Sequence, residues 1–237
     1  MLGYEYPEGY FDNPKNFRTR ASIVVRGPSG NLLVDCAPEL RIQAARERIY
    51  DLDAVLITHT HADHVMGMDD LRSLCLKYQR AIPVYTLPRY QEDIRRIYPY
   101  AFQEFPAGVF VPRFDLIDLP AVIEVGGLQI RTFQVLHGKV PVVGIRVNDF
   151  AYITDVSEIP EPAWDLLRDL DVFVVDAVRR KPHPNHFHLE RALEVAKQVG
   201  ARRTILTHLS HDYDHDVTNA ELPQGVELAY DGLRVPI

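Results

Sequence analysis

The chain has 237 residues, 46% of them hydrophobic, and a formal net charge of −7, so we expect one core and a single domain over residues 1–237. The acidic balance argues against long nucleic acid as a partner, and no apolar run reaches the roughly 18 residues that a membrane span needs. Only Cys36 and Cys75 are present and the first residues lack a signal-peptide pattern, so we expect a reducing, cytoplasmic location.

The first half of the chain alternates the patterns of short strands and helices. The runs 22–25 and 31–34 flank Gly27-Pro28-Ser29-Gly30, which is turn chemistry typical of a β-hairpin. Apolar periodicity then predicts, in chain order, a helix over 39–49, a strand over 54–58, a helix over 68–78, a strand over 83–85 and a helix over 90–97.

The second half begins with the proline- and aromatic-rich stretch 99–120, which we expect to form a loop or short strands. Strand patterns dominate from there to residue 154. The remainder alternates, with helices predicted over 162–170 and 189–199 and strands over 172–175, 204–207 and 226–230. Hairpins followed by β-α-β alternation indicate an α+β chain with two sheets covered by helices, a four-layer sandwich.

Six apolar strands end in a residue that can bind a metal ion: Asp35, His59, His137, Asp155, Asp176 and His208. Strand ends gather at one edge of a sheet, where imidazoles and carboxylates make a metal site. In the densest segment, His59, His61, Asp63 and His64 supply four potential ligands within six residues. The two extended residues can share one cation and the two at the helix start another, and two cations about 3.5–4 Å apart clamp both oxygens of a displacement.

The segment Thr58–His64 resembles the signature of the metallo-β-lactamase superfamily, and the segments 182–187 and 207–211 resemble its PhnP-type branch of phosphodiesterases related to ribonuclease Z. The resemblance implies an αββα sandwich of two mixed β-sheets flanked by helices. It also implies that one divalent metal ion is held by His59, His61 and His137, that a second is held by Asp63, His64 and His208, and that Asp155 bridges both. The resemblance favours Mn²⁺ or Zn²⁺, and Fe²⁺ also suits imidazole and carboxylate ligands.

In the PhnP-like branch, the histidine that matches His186 faces the substrate phosphate and donates a proton to the leaving oxygen, a task that suits an imidazole. His188 lies two residues further along the chain, so either ring is a candidate donor, and we favour His186. Asp63 is predicted to be catalytic as well as a ligand. Asp35 and Asp176 are interpreted as acceptors that orient ligand histidines, or as ordinary loop caps.

Arg179, Arg180 and Lys181 form a local positive cluster that either attracts a phosphate or is simply solvated. PhnP proper holds a structural zinc ion with N-terminal cysteines and a histidine that matches His211, but residues 4–20 here contain no cysteine. We therefore expect no such third metal site. The remaining histidines His183, His211 and His215 are interpreted as loop residues or as outer residues of the site.

The resemblance and the ligand pattern together predict a dinuclear metal-dependent hydrolase, in which a hydroxide that bridges the metals attacks a small or cyclic phosphodiester. The alternatives are a thioester or lactone hydrolase of the glyoxalase type, a tRNA 3′-processing endonuclease and an inactive metal-binding sensor. We find no basic or glycine-rich insertion for gripping tRNA, and all seven ligand positions are filled. No membrane partner is expected, and the resemblance suggests a homodimer.

Overall fold

The computed structural model describes residues 3–106 and 108–237. It contains two compact units: the 20–132 unit, and the 133–237 unit, which also includes the described part of the first 19 residues. Each unit has its own buried apolar core. The single domain expected over residues 1–237 stays a prediction. Among the described residues, no helix has the length and apolar character that crossing a bilayer requires.

A five-stranded sheet with the order β1-β2-β3-β4-β5 belongs to the 20–132 unit. Its strands are β1 Ile23–Gly27, β2 Gly30–Val34, β3 Ala54–Leu56, β4 Ile82–Thr86 and β5 Phe114–Asp118. β1 and β2 form the predicted antiparallel hairpin, whereas the other neighbours run parallel. In the stretch 99–120, where a loop or short strands were expected, Pro99–Phe102 forms a 3-10 turn and Phe114–Asp118 forms β5. This sheet is therefore mixed.

The helices of this unit are α1 Leu40–Glu47, α2 Ala62–Val65, α3 Arg72–Tyr78 and α4 Pro88–Ile97. The helix predicted over 68–78 begins as a 3-10 turn, Met68–Leu71, which leads into α3. β3 is buried along its whole length, as expected of a parallel strand covered on both faces. Its Val55 shares one apolar core with Met68 and Ile94, so apolar packing anchors the strand from which the histidine segment emerges.

The second sheet has seven strands in the order β12-β11-β10-β9-β8-β7-β6. They are β6 Val122–Val125, β7 Leu128–His137, β8 Val140–Val147, β9 Phe150–Ile153, β10 Val172–Asp176, β11 Arg203–Thr207 and β12 Val226–Leu228. β9 to β12 are parallel neighbours, and the β6/β7 and β8/β9 pairs are antiparallel. The sheet is mixed, and the carboxyl ends of β9, β10 and β11 meet at one edge.

The helices after β9 are α5 Glu161–Trp164, α6 Leu189–Val199 and α7 His215–Glu221. α5 is shorter than the helix predicted over 162–170 and continues only as a 3-10 turn, Asp165–Leu167. α6 ends at Gly200, whose φ of 70° is the left-handed conformation that glycine adopts most easily. α7 was not predicted, because its residues show no apolar stripe; the Asp214 carboxylate caps it by accepting from the Val217 N–H.

Gly67 allows the turn after α2 to approach the residues that follow β2. The Cys36 N–H donates to the His64 carbonyl at 2.8 Å, and the Cys36 carbonyl accepts from the Gly67 N–H at 2.9 Å. A Cβ on Gly67 would clash with the Ala37 carbonyl oxygen and lie 3.0 Å from that of Cys36. We expect Gly67→Ala to lower the free energy of unfolding by about 1–3 kcal/mol, the usual cost of overpacking.

Urea titration of the purified variant measures this loss. Met66→Ala, at the neighbouring half-exposed position, is the control and should stay close to the wild type, because it adds no atom to the contact. A Gly67→Ala protein as stable as the wild type would show that the backbone contact can relax at no cost.

Candidate metal-binding groups

The first set of predicted ligands follows β3 and is called here the 59–64 group: His59, His61, Asp63 and His64. His59 and His64 are fully buried, whereas His61, which precedes α2, is exposed. The His59 ring centroid lies 4.5 Å from that of His61 and 4.3 Å from that of His64. The Asp63 carboxylate lies 3.4 Å from His64 Nε2. The structure thus brings these four side chains together, as their spacing predicts.

A buried carboxylate, Asp35, orients the rings of this group. It accepts hydrogen bonds from the Thr58 N–H and the Thr58 hydroxyl, both at 2.8 Å, and from His64 Nδ1 at 2.7 Å. The Thr58 oxygen in turn lies 3.1 Å from His59 Nδ1. Because Nδ1 of both histidines is engaged in this network, Nε2 is the nitrogen with which each ring would bind an ion. Asp35 therefore has the orienting role that its strand-end position predicts.

Asp35→Asn tests this network. The amide would place an N–H₂ group against donors that now meet a carboxylate, so the ring of His64 loses its fixed tautomer. Loss of such an outer partner typically lowers metal affinity about 10–100-fold. We expect that loss in a chelator competition assay with Zn²⁺ or Mn²⁺, together with a lower thermal midpoint. Asp118→Asn, an exposed partner of Gln91, is the matched control, and equal affinities for the two variants would contradict the role.

The second set, called here the strand-end group, lies in the 133–237 unit: His137, Asp155, Asp176, His186 and His208. His137 ends β7 and Asp176 ends β10, while Asp155 and His208 come just after β9 and β11. His208 Nε2 lies 3.5 Å from the Asp155 carboxylate. The ring centroids of His137 and His186 are 4.3 Å apart. The edge of the second sheet thus assembles imidazoles and carboxylates, a donor set that suits a divalent cation.

Three residues at strand ends, two acids and one histidine, share an uncommon backbone conformation. Asp35, Asp155 and His208 have φ angles of 63°, 52° and 55°, in the left-handed region that non-glycine residues rarely occupy. Such conformations cost free energy and concentrate at functional sites, where the surrounding structure holds them in place. In each case the chain turns sharply at the residue that carries the functional side chain.

Within the strand-end group, His186 pairs with a buried acid. Its Nδ1 lies 2.9 Å from the Asp176 carboxylate and 3.9 Å from that of Asp155. Burial raises the pKa of Asp176 well above its ordinary value, the charge of Asp155 adds to this rise and His208 opposes it. The carboxyl group of Asp176 therefore binds a proton more readily than that of an ordinary aspartate.

His188, the other candidate donor, lies apart from this pair. It is the residue before α6, and its Nε2 is 4.0 Å from the exposed carboxylate of Glu190. His186 instead belongs to two sets of atoms that lie within 4.8 Å of one another, one with His137 and Asp155 and one with Asp176 and His208. Of the two rings, His186 is therefore the one that lies among the acids and imidazoles of the strand-end group.

His137 is oriented by a backbone carbonyl that sequence reasoning did not single out. Its Nδ1 donates to the Asn185 carbonyl at 2.6 Å, and burial is the main cause that lowers its pKa. The neutral imidazole that results is the form that binds a metal. The Ser157 hydroxyl supports the same turn by accepting from the Gly138 N–H at 2.8 Å. A backbone carbonyl has no residue-type signature, so only the structure reveals this contact.

The basic residues near the strand-end group make local contacts. Arg179 donates to the carbonyls of Lys181 and Pro182, and Arg180 donates to Thr218 and Glu221. These contacts stabilise the loop before α6 and tie it to α7.

His211, which matches the histidine of the structural zinc site in PhnP proper, contacts an aromatic ring. The Tyr4 ring packs against it with centroids 4.0 Å apart. Tyr6 lies 6.5 Å from the same ring. Aromatic side chains therefore contact His211 from the N-terminal segment in which PhnP proper carries cysteines.

The geometry agrees with what comparisons with known proteins find. A family model described as a beta-lactamase superfamily domain matches residues 30–209 of the chain. The chain belongs to the metallo-β-lactamase superfamily. A crystal structure described as a new diphosphatase from the PhnP family covers 100% of this chain and 91% of its own, with a TM-score of 0.90 and 32% identity. The predicted PhnP-type branch and its fold of two mixed sheets flanked by helices are thus confirmed.

Two curated relatives extend the comparison. An octanoyltransferase from Porphyromonas gingivalis is 33% identical over 228 residues, which are 93% of this chain and 45% of that protein. This chain therefore spans about half the length of that relative. A ribonuclease Z from Methanopyrus kandleri is 29% identical over 275 residues, which are 94% of each chain.

Proposed function

We propose that the chain is a dinuclear metal-dependent phosphodiesterase that acts on small or cyclic phosphodiesters. The observation that carries this proposal is the His186–Asp176 pair beside a set of metal-type ligands, in a chain 32% identical to a PhnP-family diphosphatase. Phosphoryl transfer needs positioned positive charge at the phosphoryl oxygens and a proton for the leaving oxygen. The imidazole and carboxylate residues supply groups suited to both tasks.

The proposed ligands come from both groups, as the superfamily resemblance implies: His59, His61 and His137 for one ion, Asp63, His64 and His208 for the other, and Asp155 for both. Support comes from the chemistry of each group by itself. His59, His64 and His137 are oriented through Nδ1, and the acids Asp63 and Asp155 lie next to imidazoles. Divalent ions held there would neutralise phosphoryl charge and lower the pKa of a nucleophilic water. Mn²⁺ or Zn²⁺ is proposed, with Fe²⁺ as the third choice.

His186 has the role of general acid in this proposal. Its Nδ1 faces Asp176, which orients the ring so that Nε2 carries the transferable proton. Asp63, only partly buried, keeps the catalytic role assigned above through the ion that it helps to hold. We also propose that the substrates are small and that neither long nucleic acid nor a membrane is a partner. The protein is proposed to be a cytoplasmic homodimer.

The test uses protein stripped with a chelator and reloaded with Mn²⁺, Zn²⁺ or Fe²⁺ in turn. Hydrolysis of bis(p-nitrophenyl) phosphate and of cyclic nucleotides is then compared with that of phosphomonoesters. We expect diester turnover that requires metal and that reaches its maximum near two ions per chain. Metal-loaded protein with no diesterase activity on either substrate would overturn the proposal.

A second candidate function is acyl hydrolysis, which the match to an octanoyltransferase over 93% of the chain favours. In that case the same ligands would act on an octanoyl ester or thioester, the chemistry expected of a glyoxalase-type hydrolase. Parallel assays with p-nitrophenyl octanoate and an octanoyl thioester separate the two, because only one substrate class should show metal-dependent turnover. A gel assay on precursor tRNA tests the activity that the ribonuclease Z relative suggests.

A further inference from the structure

His183 lies in the loop before α6, between Pro182 and Pro184, and the roles assigned above leave it out. Its partly buried ring packs against the proposed general acid, with the centroids of His183 and His186 4.8 Å apart and an interplanar angle of 64°. A side chain that packs against the proposed general acid would lie near a substrate oxygen that receives a proton from His186. It is therefore a candidate for contact with the substrate.

The backbone selects one tautomer of His183. The Asn185 N–H donates to His183 Nδ1 at 3.1 Å, so Nδ1 carries the lone pair and the proton of the neutral ring is on Nε2. Burial, followed by the charges of His186, Arg179 and His137, lowers the pKa of His183. The ring is thus a neutral imidazole near pH 7, and its second nitrogen is a hydrogen-bond donor.

The loop that carries His183 is stiffened on both sides of the ring. Arg179 donates to the carbonyls of Lys181 and Pro182, and the two prolines restrict the backbone next to His183. On the other side, the Asn185 carbonyl accepts from His137 Nδ1 at 2.6 Å. His183 is therefore held in place before any substrate arrives, which is the condition for a donor that stabilises developing charge.

We propose that His183 is a substrate-binding residue, which donates its Nε2–H to a non-bridging oxygen of the phosphoryl group whose leaving oxygen is protonated by His186. This inference rests on the proposed function. A neutral donor beside the general acid adds a hydrogen bond to the anionic group and supplies no second proton source. The two histidines thus divide the work, since His186 transfers a proton and His183 retains its own.

Two substitutions separate this role from a structural one. His183→Phe keeps the size of the ring and removes the donor, whereas the amide nitrogen of His183→Gln can replace Nε2. We expect kcat/KM for bis(p-nitrophenyl) phosphate to fall about 10-fold or more in His183→Phe, since a hydrogen bond to a charged group is lost. His183→Gln should stay within about 3-fold of the wild type on the same reasoning. The exposed Glu190→Gln is the control.

Two further readouts distinguish a donor from a packing residue. The inhibition constant of inorganic phosphate should rise about 10-fold in His183→Phe and not in His183→Gln. The pH profile of kcat should keep its shape in both variants, because a neutral His183 does not titrate during turnover. A changed pH profile, or equal losses in the two variants, would overturn the inference.

The metal-loaded wild type distinguishes this inference from the proposed function. If it hydrolyses neither bis(p-nitrophenyl) phosphate nor a cyclic nucleotide, the proposed function fails. If it is active, and His183→Phe matches it in kcat/KM and in phosphate inhibition, only the role of His183 fails.

Discussion

Asp155→Ala is expected to abolish diester turnover and to deplete the protein of metal. Asp155 is 2% exposed, and its carboxylate lies 3.5 Å from His208 Nε2 and 3.9 Å from His186 Nδ1. It is also the acid proposed to contact both ions. Its removal leaves the neighbouring imidazoles without their negative partner. Less negative charge would then offset the repulsion between two cations that lie close together.

The expected magnitude exceeds that of losing an outer partner, which lowers metal affinity about 10–100-fold. We expect kcat to fall on the order of 10³-fold. Metal per chain after gel filtration, measured by elemental analysis, and kcat on the reloaded protein check both effects. Asp165→Ala, an exposed acid of the same unit that pairs with Arg168, should retain full metal and activity. Full metal content in Asp155→Ala would remove this residue from the centre.

His186→Ala should instead retain its metal and lose turnover. General acid catalysis typically contributes 10²–10⁴-fold, so we expect kcat to fall by about 10²–10⁴ for a diester with a poor leaving group. The loss should be much smaller for bis(p-nitrophenyl) phosphate, because the p-nitrophenolate leaves without needing a proton. A metal ligand would not show this dependence on the leaving group, so the comparison identifies the role.

Asp176→Asn and His188→Ala complete the test. Asp176→Asn weakens the hydrogen bond that orients His186 and should cost about 10-fold in kcat, as expected for one hydrogen bond to a charged group. His188→Ala should be close to the wild type, since its ring contacts Glu190. The general acid must carry a proton, so wild-type turnover of the poor substrate falls toward alkaline pH, and this fall should disappear in His186→Ala. A large loss of kcat in His188→Ala would show that His188, and not His186, donates the proton.

The clustering of candidate ligand residues within each group could be predicted because its signal is local. The 59–64 group follows a buried strand at a spacing that brings its rings together, and the structure shows centroids 4.3 and 4.5 Å apart. The strand-end positions of Asp155, Asp176 and His208 followed from apolar runs alone. Parallel neighbours place such ends at one edge of the sheet. The apolar runs in the sequence were therefore enough to predict that these side chains gather there.

Other features escaped prediction for identifiable physical reasons. α7 has no apolar stripe, and its start depends on the Asp214 cap. The local positive cluster around Arg179 could be seen in the sequence, but the contacts of its guanidinium are with backbone carbonyls. Thr58 looked like part of a motif, whereas its hydroxyl links Asp35 to His59. In each case the contact depends on the backbone or side-chain conformation that the folded chain adopts, which the residue types alone do not specify.

The sequence by itself determined the branch of the superfamily, the strands and the residues able to bind metal, because these depend on short-range order along the chain. Only the tertiary structure decided which imidazole meets a buried acid, and on which nitrogen the rings of His137 and His183 carry their protons. For His137 the choice depends on a hydrogen bond with Asn185, far away in the chain, and for His183 it depends on the backbone that its own loop adopts. Folding fixes them through the packing of the second sheet and the loop before α6.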